Sequence, residues 1–528
     1  MRKAEIRPPE AHVNHAINRR QLLGGMLGGA TLLGLSACGA PPLTVPEQAA
    51  TGPARRGGTM RIARPAATAA ETLDPASSLS AYEYLGAIYN RVVKLDRNGQ
   101  TVPDLATDWS TNADATVWDF KLRSGVHFHD GRRLTAQDVR YTFAHILDPD
   151  TASPQAGPLE LIRSIDAVDA TSVRFRLRSP NAEFPSLLTA YQCYVIPDGS
   201  AKEIGRTGIG TGPFVLESFT PAGPGQVRAN EDYFDGRATL DRIEFYSIQD
   251  TSARVNALLS RQVDLLAQTN LDNPTARVVA NSAGTTIARV QNAQWYTIPM
   301  LFTSKEFADP QMRQAMKLAY DPNAVLSTAL QGTGAPGWDN PVPPQLKDWT
   351  DHEREYDPDK AKAILKKLGR EDFSTRIYTS AYEPNLTPIA TAYADQVKQA
   401  GITLKITNAA ADSYYSQIWM SKPLMVSYWF TGRPVDQLLN QIFRSGSSYN
   451  ESAWSNKQFD QLLDAARADT NDASRRLKYQ DAQRLIQADG ADQTPVFGDR
   501  LVGLSETVVN YDEYGFEFDY LAIGLKEG

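Results

Sequence analysis

The chain is poor in cysteine and histidine, with two cysteines and six histidines among 528 residues. Cys38 directly follows a leader segment and is predicted below to carry lipid. Cys193 is then left without an intramolecular disulfide partner. Stability must therefore come from buried apolar surface. Leu188, Tyr191 and Val195 surround Cys193 in the sequence, and this setting predicts a buried thiol and not a reactive one.

The sequence motifs of common enzymes are missing as well. The chain contains no G-x-x-x-x-G-K-[ST], H-E-x-x-H, C-x-x-C or G-x-S-x-G, which removes the usual signals for nucleotide, zinc, thiol and serine chemistry. The glycines spaced through 208–212 superficially suggest a dinucleotide loop, but the strand-like 213–216 follows where that loop requires a helix. These absences argue against an enzyme, and we expect no cofactor.

The histidines offer only a weak metal site. His127 and His129 share one face of a predicted strand, and Asp130 follows them, as ligands of a metal could. Beyond the leader, only His145 and His352 remain. We expect no metal centre.

Positive charge is not in excess, since 54 basic residues stand against 61 acidic residues for a net charge of −7. This balance argues against nucleic acid as a partner, because phosphates require clustered basic side chains. A long apolar run is also missing: residues 21–37 are uncharged but include five glycines. That stretch is shorter than the roughly 18 apolar residues of a membrane-spanning helix, which is the alternative for it.

The first residues have the features of an export signal. Arg19 and Arg20 precede the apolar run, which indicates export by the twin-arginine (Tat) route. The run ends in Leu35-Ser36-Ala37-Cys38, which resembles a lipobox. We predict a signal peptide over 1–37, lipidation of Cys38, and a flexible tether over 38–56, rich in proline, alanine and glycine.

The remaining chain changes character along its length. Up to about residue 300, apolar and polar residues alternate as they do in strands, over 59–63, 117–122, 126–129, 243–246 and 263–266. A helix is predicted over 136–147, with Thr135 as its N-cap. From Asp309-Pro310 onward, capped helices alternate with strands such as 402–407 and 424–429. This order predicts α/β lobes with an open sheet and a cleft between them.

Several ordered motifs resemble the family 5 extracellular solute-binding proteins, the large peptide/nickel-type receptors of ABC importers. The similar stretches are Gly57-Gly58-Thr59-Met60-Arg61-Ile62-Ala63, Thr72-Leu73-Asp74-Pro75, Val102-Pro103-Asp104-Leu105-Ala106, Gly125-Val126-His127-Phe128-His129-Asp130-Gly131, Gly210-Thr211-Gly212-Pro213-Phe214 and Asn230-Glu231-Asp232-Tyr233-Phe234. The resemblance covers essentially the whole chain beyond the leader. One departure is Asp321-Pro322, where the family has Asp-Arg.

The resemblance implies an α/β, two-lobed periplasmic-binding-protein (Venus-flytrap) fold with an extra subdomain in lobe one. The implied boundaries are 57–296 for lobe one, with the extra subdomain at about 97–207, then 297–494 for lobe two and 495–528 for a return segment. Its implied partners are a peptide or small-molecule ligand, the permease and ATPase of an importer, and the membrane through lipid at Cys38. We expect a monomer at the extracytoplasmic face, or periplasm, with no nucleic acid bound.

In the peptide receptors of this family, a lobe-two loop presents an aspartate to the α-amino group of the peptide. In an ungapped alignment Thr431 takes that position, so the ammonium partner is missing there. Arg433 instead offers a fork of donors suited to a carboxylate or phosphate. The alternative is that Arg433 pairs with Asp436 or with another structural carboxylate.

Further candidate ligand contacts are aromatic or belong to a segment that aligns only loosely with the family. These residues are Tyr82, Trp295, Tyr296, Trp429, Asn450 and Trp454. Aromatic walls with few polar groups suit a recessed small-molecule site.

A peptide is the expected ligand, and an anionic non-peptide solute, opine-like or a metal chelate, is the alternative. A surface protein without a transport role is a third possibility.

Overall fold

A computed structural model describes residues 50–514 and 517–526. The predicted signal peptide over 1–37 and the lipidation site Cys38 lie outside the described residues, as does the predicted tether up to residue 49. None of the described helices is long and apolar enough to cross a membrane.

The first part of the chain is dominated by strands. These are β1 (Thr59–Arg64), β2 (Val93–Leu95), β3 (Thr101–Pro103), β4 (Ala106–Thr111), β5 (Val117–Leu122), β6 (Ile162–Asp169), β7 (Ser172–Leu177), β8 (Phe214–Phe219), β9 (Gly225–Ala229), β10 (Arg242–Ser247), β11 (Leu265–Leu266) and β12 (Thr285–Pro299). The helices among them are α1 (Tyr82–Ile88), α2 (Ala136–Leu147), α3 (Ala156–Leu159), α4 (Phe184–Leu187), α5 (Ile204–Thr207), α6 (Thr251–Leu259) and α7 (Asn273–Ala280).

The second part alternates helices with shorter strands. Its helices are α8 (Pro310–Leu318), α9 (Pro322–Ala329), α10 (Pro358–Lys367), α11 (Leu386–Val397), α12 (Tyr414–Gln417), α13 (Val435–Leu438), α14 (Lys457–Ala468) and α15 (Asp472–Asp489), and a π-helical turn at Leu439–Phe443 follows α13. Its strands are β13 (Gly334–Pro336), β14 (Ser374–Ser380), β15 (Thr403–Ala409), β16 (Ser427–Phe430), β17 (Asp492–Gln493), β18 (Val496–Ser505), β19 (Val508–Val509), β20 (Glu513–Tyr514), β21 (Glu517–Phe518) and β22 (Gly524–Leu525).

One large sheet connects the two lobes. Its strand order is β16-β12-β18-β11-β1-β10-β9-β8, with β1 parallel to β10 and β11. The long strands β12 and β18 are antiparallel and pass from one lobe to the other. Because the chain crosses between lobes on these strands, a cleft lies beside them.

In the described part of the chain, four large apolar cores lie under this framework. Lobe one packs α1 and β1 against the C-terminal segment, with buried residues that include Met60, Ile62, Leu85, Phe214, Ile243, Val508 and Ile523. The separate sheet β4-β5-β7-β6 and α2 enclose a second core, around Phe120, Phe143 and Phe175, which we call the subdomain. Lobe two packs α8 and α11 on β14, with a neighbouring core around α14 and α15.

Helix starts agree well with the sequence. Asp309 and Asp357 cap α8 and α10 by accepting from the backbone, and Thr135 forms a capping box with Asp138 at α2, as predicted. The predicted strand over 126–129 is wrong: only an isolated bridge between His127 and Arg133 is present, and the His129 amide donates instead to the Gly210 carbonyl at 2.9 Å. Among the described residues, no group of His, Cys, Asp and Glu could hold a metal ion.

Candidate functional site

A cavity of about 670 Å³ lies between the lobes. Lobe one contributes Tyr82 at the start of α1, together with Tyr191. Lobe two contributes Trp429 on β16, Arg433 from the loop behind it, and Tyr449. The volume falls in the range of roughly 300 to 1,000 Å³ that is usual for small-molecule sites.

The loop after β16 is fixed by backbone contacts to β12. Thr431 donates from its amide to the carbonyl of Ala293 (3.0 Å) and from its hydroxyl to the carbonyl of Asn292 (2.6 Å). The amide of Arg433 then turns back to the carbonyl of Thr431 at 2.7 Å. This tight turn, placed before Pro434 and α13, directs the loop to the cavity wall.

Arg433 is the most distinctive polar group of the cavity wall. Its Nη1 donates to the carbonyl of Phe430 at 2.7 Å, and its guanidinium carbon lies 5.5 Å from the ring centroid of Trp429. In the part of the chain that the structure describes, no carboxylate forms an ion pair with it. Burial lowers the pKa of Arg433, and only tyrosines (Tyr191, Tyr449, Tyr82) act electrostatically in the opposite direction.

These three tyrosines line the same cavity as the guanidinium. The rings of Tyr82 and Tyr191 meet edge to face at 4.9 Å, and burial raises the pKa of both hydroxyls. Tyr449 packs its ring edge to face on Trp429 at 6.1 Å. Neutral hydroxyls and one cation make this end of the cavity a site for a negatively charged group.

Trp429 forms the floor under Arg433. Its ring is stacked on the fully buried Trp295, with centroids 6.2 Å apart and planes 20° apart. Its indole Nε1 donates to Glu451 Oε2 at 2.9 Å. The same buried carboxylate accepts from Thr297 Oγ1 at 2.9 Å and from the indole Nε1 of Trp419.

A second buried carboxyl, Asp492, lies beside Glu451. Burial raises the pKa of both groups, that of Asp492 to about 8, and the charge of Glu451 adds to the shift of Asp492. Glu451 receives three donors, which suits the ionised form, since an ionised carboxylate only accepts. Asp492 accepts from Ser452 Oγ at 2.9 Å, while its Oδ1 has no partner in the structure. The proton of the pair therefore belongs on Asp492.

This raised pKa makes stability depend on pH. In the unfolded chain Asp492 ionises near pH 4, whereas in the fold its pKa is about 8. The fold binds the extra proton between these values, so stability falls as pH rises through that window. Asp492→Asn cannot ionise, and we expect a shallower fall between pH 5 and pH 8, measured by urea unfolding at several pH values. If the free energy of unfolding fell equally with pH in the wild type and in Asp492→Asn, the assignment of the proton to Asp492 would be contradicted.

The predicted site residues separate into two groups. Tyr82, Trp429 and Arg433 line the cavity together. Thr431 is buried and does not line it. Asp436 is buried too, where it accepts from Arg467 Nη2 at 2.8 Å and from the Tyr479 hydroxyl at 2.9 Å, and it does not pair with Arg433. Asp436 lines a smaller cavity of about 190 Å³ between the subdomain and lobe two.

The other predicted residues are buried inside the lobes. Trp295 lies under Trp429, and the Tyr296 hydroxyl is 2.9 Å from Glu383 Oε1. Asn450 donates to the carbonyl of Trp454 at 2.8 Å, and the indole of Trp454 donates to Asp489 at 3.2 Å. None of these four lines the 670 Å³ cavity; ligand contact by them stays a prediction.

Sequence reasoning missed Tyr191 and Tyr449 as cavity residues. Both lie outside regular strands and α-helices, so no periodic pattern marks their exposed face. It also missed the other end of the cavity, where Arg91 and Glu517 form an ion pair at 2.5 Å. In the sequence, the only signal for either tyrosine was the presence of other aromatic residues nearby.

Comparison with known proteins agrees with this geometry. Residues 100–451 match the family described as "Bacterial extracellular solute-binding proteins, family 5 Middle". Di/tripeptide-binding protein 2 of Pseudomonas aeruginosa is 28% identical over 462 residues, which cover 79% of this chain and 86% of that protein.

Two solved structures share the fold. The periplasmic binding protein DppA from Helicobacter pylori, in complex with the peptide STSA, has a TM-score of 0.75 at 23% identity and covers 90% of this chain and 99% of its own. The ABC transporter substrate-binding protein CtaP from Listeria monocytogenes has a TM-score of 0.80 at 21% identity, covering 90% of this chain and 100% of its own. At these identities the likeness concerns the two-lobed fold.

Proposed function

The chain belongs to the family 5 bacterial extracellular solute-binding proteins, and on that premise we propose that it captures a short peptide or peptide-like solute through a carboxylate held by Arg433. Proteins of this family bind a solute for an ABC importer and do not transform it. The solute would lie in the cavity between the lobes and then pass to the permease. A di/tripeptide-binding relative supports the size class of the ligand.

The observation that carries the proposal is the setting of Arg433. A guanidinium on the cavity wall, stacked on Trp429 and without a carboxylate partner among the described residues, calls for an anion from the ligand. A planar guanidinium matches a carboxylate in two parallel hydrogen bonds. The terminal carboxylate of a peptide supplies that group.

Polar groups elsewhere on the wall suit a peptide backbone. Gln437 and Gln441 line the cavity next to Arg433, and the buried Oε1 of Gln441 has no hydrogen-bond partner in the structure. A peptide N–H could donate to it, because an unpaired buried acceptor costs free energy.

One observation favours the second candidate, an anionic solute that is not a peptide. Thr431 stands where peptide receptors of the family carry the ammonium-binding aspartate, and its hydroxyl is engaged by the Asn292 carbonyl at 2.6 Å. A ligand without a free amine, such as an opine-like acid or a metal chelate, would not need that partner.

Closure of the lobes around the solute completes the proposed mechanism. Away from the cavity, the subdomain already touches lobe two: the Ala182 amide donates to the Arg467 carbonyl at 2.7 Å, and Glu183 pairs with Arg475. Such contacts between the subdomain and lobe two would favour a closed arrangement of the lobes. A ligand that binds both walls favours this arrangement over an open one, and the permease would recognise it.

The cellular setting follows from the leader. Family members are periplasmic binding proteins. We infer that this chain leaves the cytoplasm by the Tat route and is tethered through lipid on Cys38 as a monomer beside its permease and ATPase.

A thermal-shift panel tests the proposed function. The purified protein is heated with trialanine, trialanine amide, N-acetyl-trialanine, an opine and a nickel–histidine chelate. Binding to the folded state raises the melting temperature, and we expect the free acid to act and the amide to act little. Stabilisation by N-acetyl-trialanine or the opine, but not by trialanine, would favour the non-peptide candidate. A panel without any shift from a carboxylate would contradict both.

A further inference from the structure

Glu451 is buried deep in lobe two, behind the cavity wall and out of contact with the cavity. Its carboxylate collects donors from three separate elements: Trp429 on β16, Thr297 on β12, and Trp419 after α12. Burying a carboxylate costs free energy that its hydrogen-bond donors must offset. These three donors therefore hold Glu451 strongly in place. Two of the three donors are indole N–H groups, which can donate in the ring plane alone.

The bond from Trp429 has a geometric consequence. An indole that donates to a fixed acceptor cannot rotate about its long axis without losing the bond. The Trp429 plane is thereby fixed next to Trp295 and to the guanidinium of Arg433, whose carbon lies 5.5 Å from the ring centroid. Arg433 lines the same cavity as the tyrosines of both lobes.

We propose that Glu451 is a positioning residue for ligand specificity: it fixes the plane of Trp429 and so places the Arg433 guanidinium toward the ligand anion. The inference rests on the proposed function for its effect on binding, but the positioning itself does not require a ligand. Trp419, held by the same carboxylate, packs on Tyr449 with centroids 6.4 Å apart. Glu451 therefore orders two aromatic residues of the wall, Trp429 directly and Tyr449 through Trp419.

The first test uses the ligand-free protein labelled with ¹⁵N-tryptophan. The indole resonance of Trp429 is assigned by its loss in Trp429→Phe. We expect this indole proton to be protected from solvent exchange in the wild type and to lose protection and shift in Glu451→Met, which has a similar volume and no oxygen to accept the bond. Thr297→Val is the matched control, because it removes a different donor from the same carboxylate and should leave the Trp429 resonance in place.

An exchanging Trp429 indole proton in the wild type would overturn the proposal, even if Glu451→Met fails to fold. A protected proton that stays unchanged in a folded Glu451→Met would overturn it as well. Loss in Glu451→Met with the Thr297→Val spectrum unchanged is the supporting result.

The second test is a double-mutant cycle on trialanine affinity, measured by calorimetry. We expect Glu451→Met to weaken binding about 10-fold, the size of one hydrogen bond to a charged group. In the Trp429→Phe background, which lacks the indole donor, the same change should cost less than about 2-fold. Equal losses in both backgrounds would overturn action through Trp429. Absence of trialanine binding to the wild type would count against the peptide proposal, while the indole measurement still decides the positioning.

Discussion

Arg433→Ala is expected to weaken binding of a free-acid peptide about 100-fold. The charge-assisted, two-point hydrogen bond between a guanidinium and a carboxylate is among the strongest available to a small ligand, and losing one partner leaves the other buried without compensation. Arg433 already donates to the Phe430 carbonyl at 2.7 Å and lies over Trp429, so its remaining donors are held in place before the ligand arrives. Calorimetric titration with trialanine measures the loss.

Two controls isolate the charge pair. Trialanine amide lacks the carboxylate, and its affinity for the wild type should be about as weak as that of trialanine for Arg433→Ala. Lys94→Ala removes another cation from the wall of the same cavity, and we expect an effect of less than about 3-fold, because an exposed lysine gains little from a distant charge. Unchanged binding in Arg433→Ala would show that this guanidinium does not hold the ligand. An equal loss in both variants would show that net charge and not this guanidinium holds it.

Asp436→Asn is expected to destabilise the fold by about 3 kcal/mol without a specific effect on ligand affinity. The buried carboxylate accepts from Arg467 Nη2 at 2.8 Å and from the Tyr479 hydroxyl at 2.9 Å, and its side chain is inaccessible to solvent. The amide would place a donor against one of those donors and leave Arg467 without its counter-charge. Breaking a buried pair by changing one partner costs about 3 to 5 kcal/mol.

Asp464→Asn provides the matched comparison for Asp436→Asn. Asp464 pairs with Arg444 at 2.6 Å, but its side chain is 62% exposed, so we expect less than about 0.5 kcal/mol. Urea unfolding measures both variants. If Asp436→Asn kept wild-type stability and lost ligand affinity, Asp436 would belong to the ligand site after all.

The sequence predicted the outline of the fold better than the site. Caps such as Asp309 and Asp357 are local, because a side chain and its own helix are enough to define them. The strand expected around His127 failed because the His129 amide pairs with the Gly210 carbonyl, a partner far along the chain that the local pattern does not reveal. The boundaries predicted for the lobes, the subdomain and the return segment remain predictions.

Aromatic residues show why the site was harder to predict. Trp295 and Tyr296 are neighbours on β12 and point to opposite faces of the sheet, but both faces are covered, by the cores of α14–α15 and of α8–α11 respectively. Alternation along the strand therefore could not separate cavity from core. Trp429, two residues before Thr431, reaches the cavity because the sheet ends there.

For the loop that carries Arg433, the sequence and the structure supply different parts of the argument. The alignment indicated a change from the peptide receptors at Thr431, and the structure shows the Thr431 hydroxyl engaged by β12 and Asp436 engaged by Arg467. Neither contact could be read from spacing alone, because Arg467 lies 31 residues away along the chain.

A crystal structure of the protein with the tightest ligand of the thermal-shift panel tests the central claim most directly. The account predicts that the ligand fills the cavity between the lobes and that its carboxylate accepts hydrogen bonds from Arg433, over the face of Trp429. A ligand bound elsewhere, or bound in the cavity with its carboxylate turned away from Arg433, would contradict it.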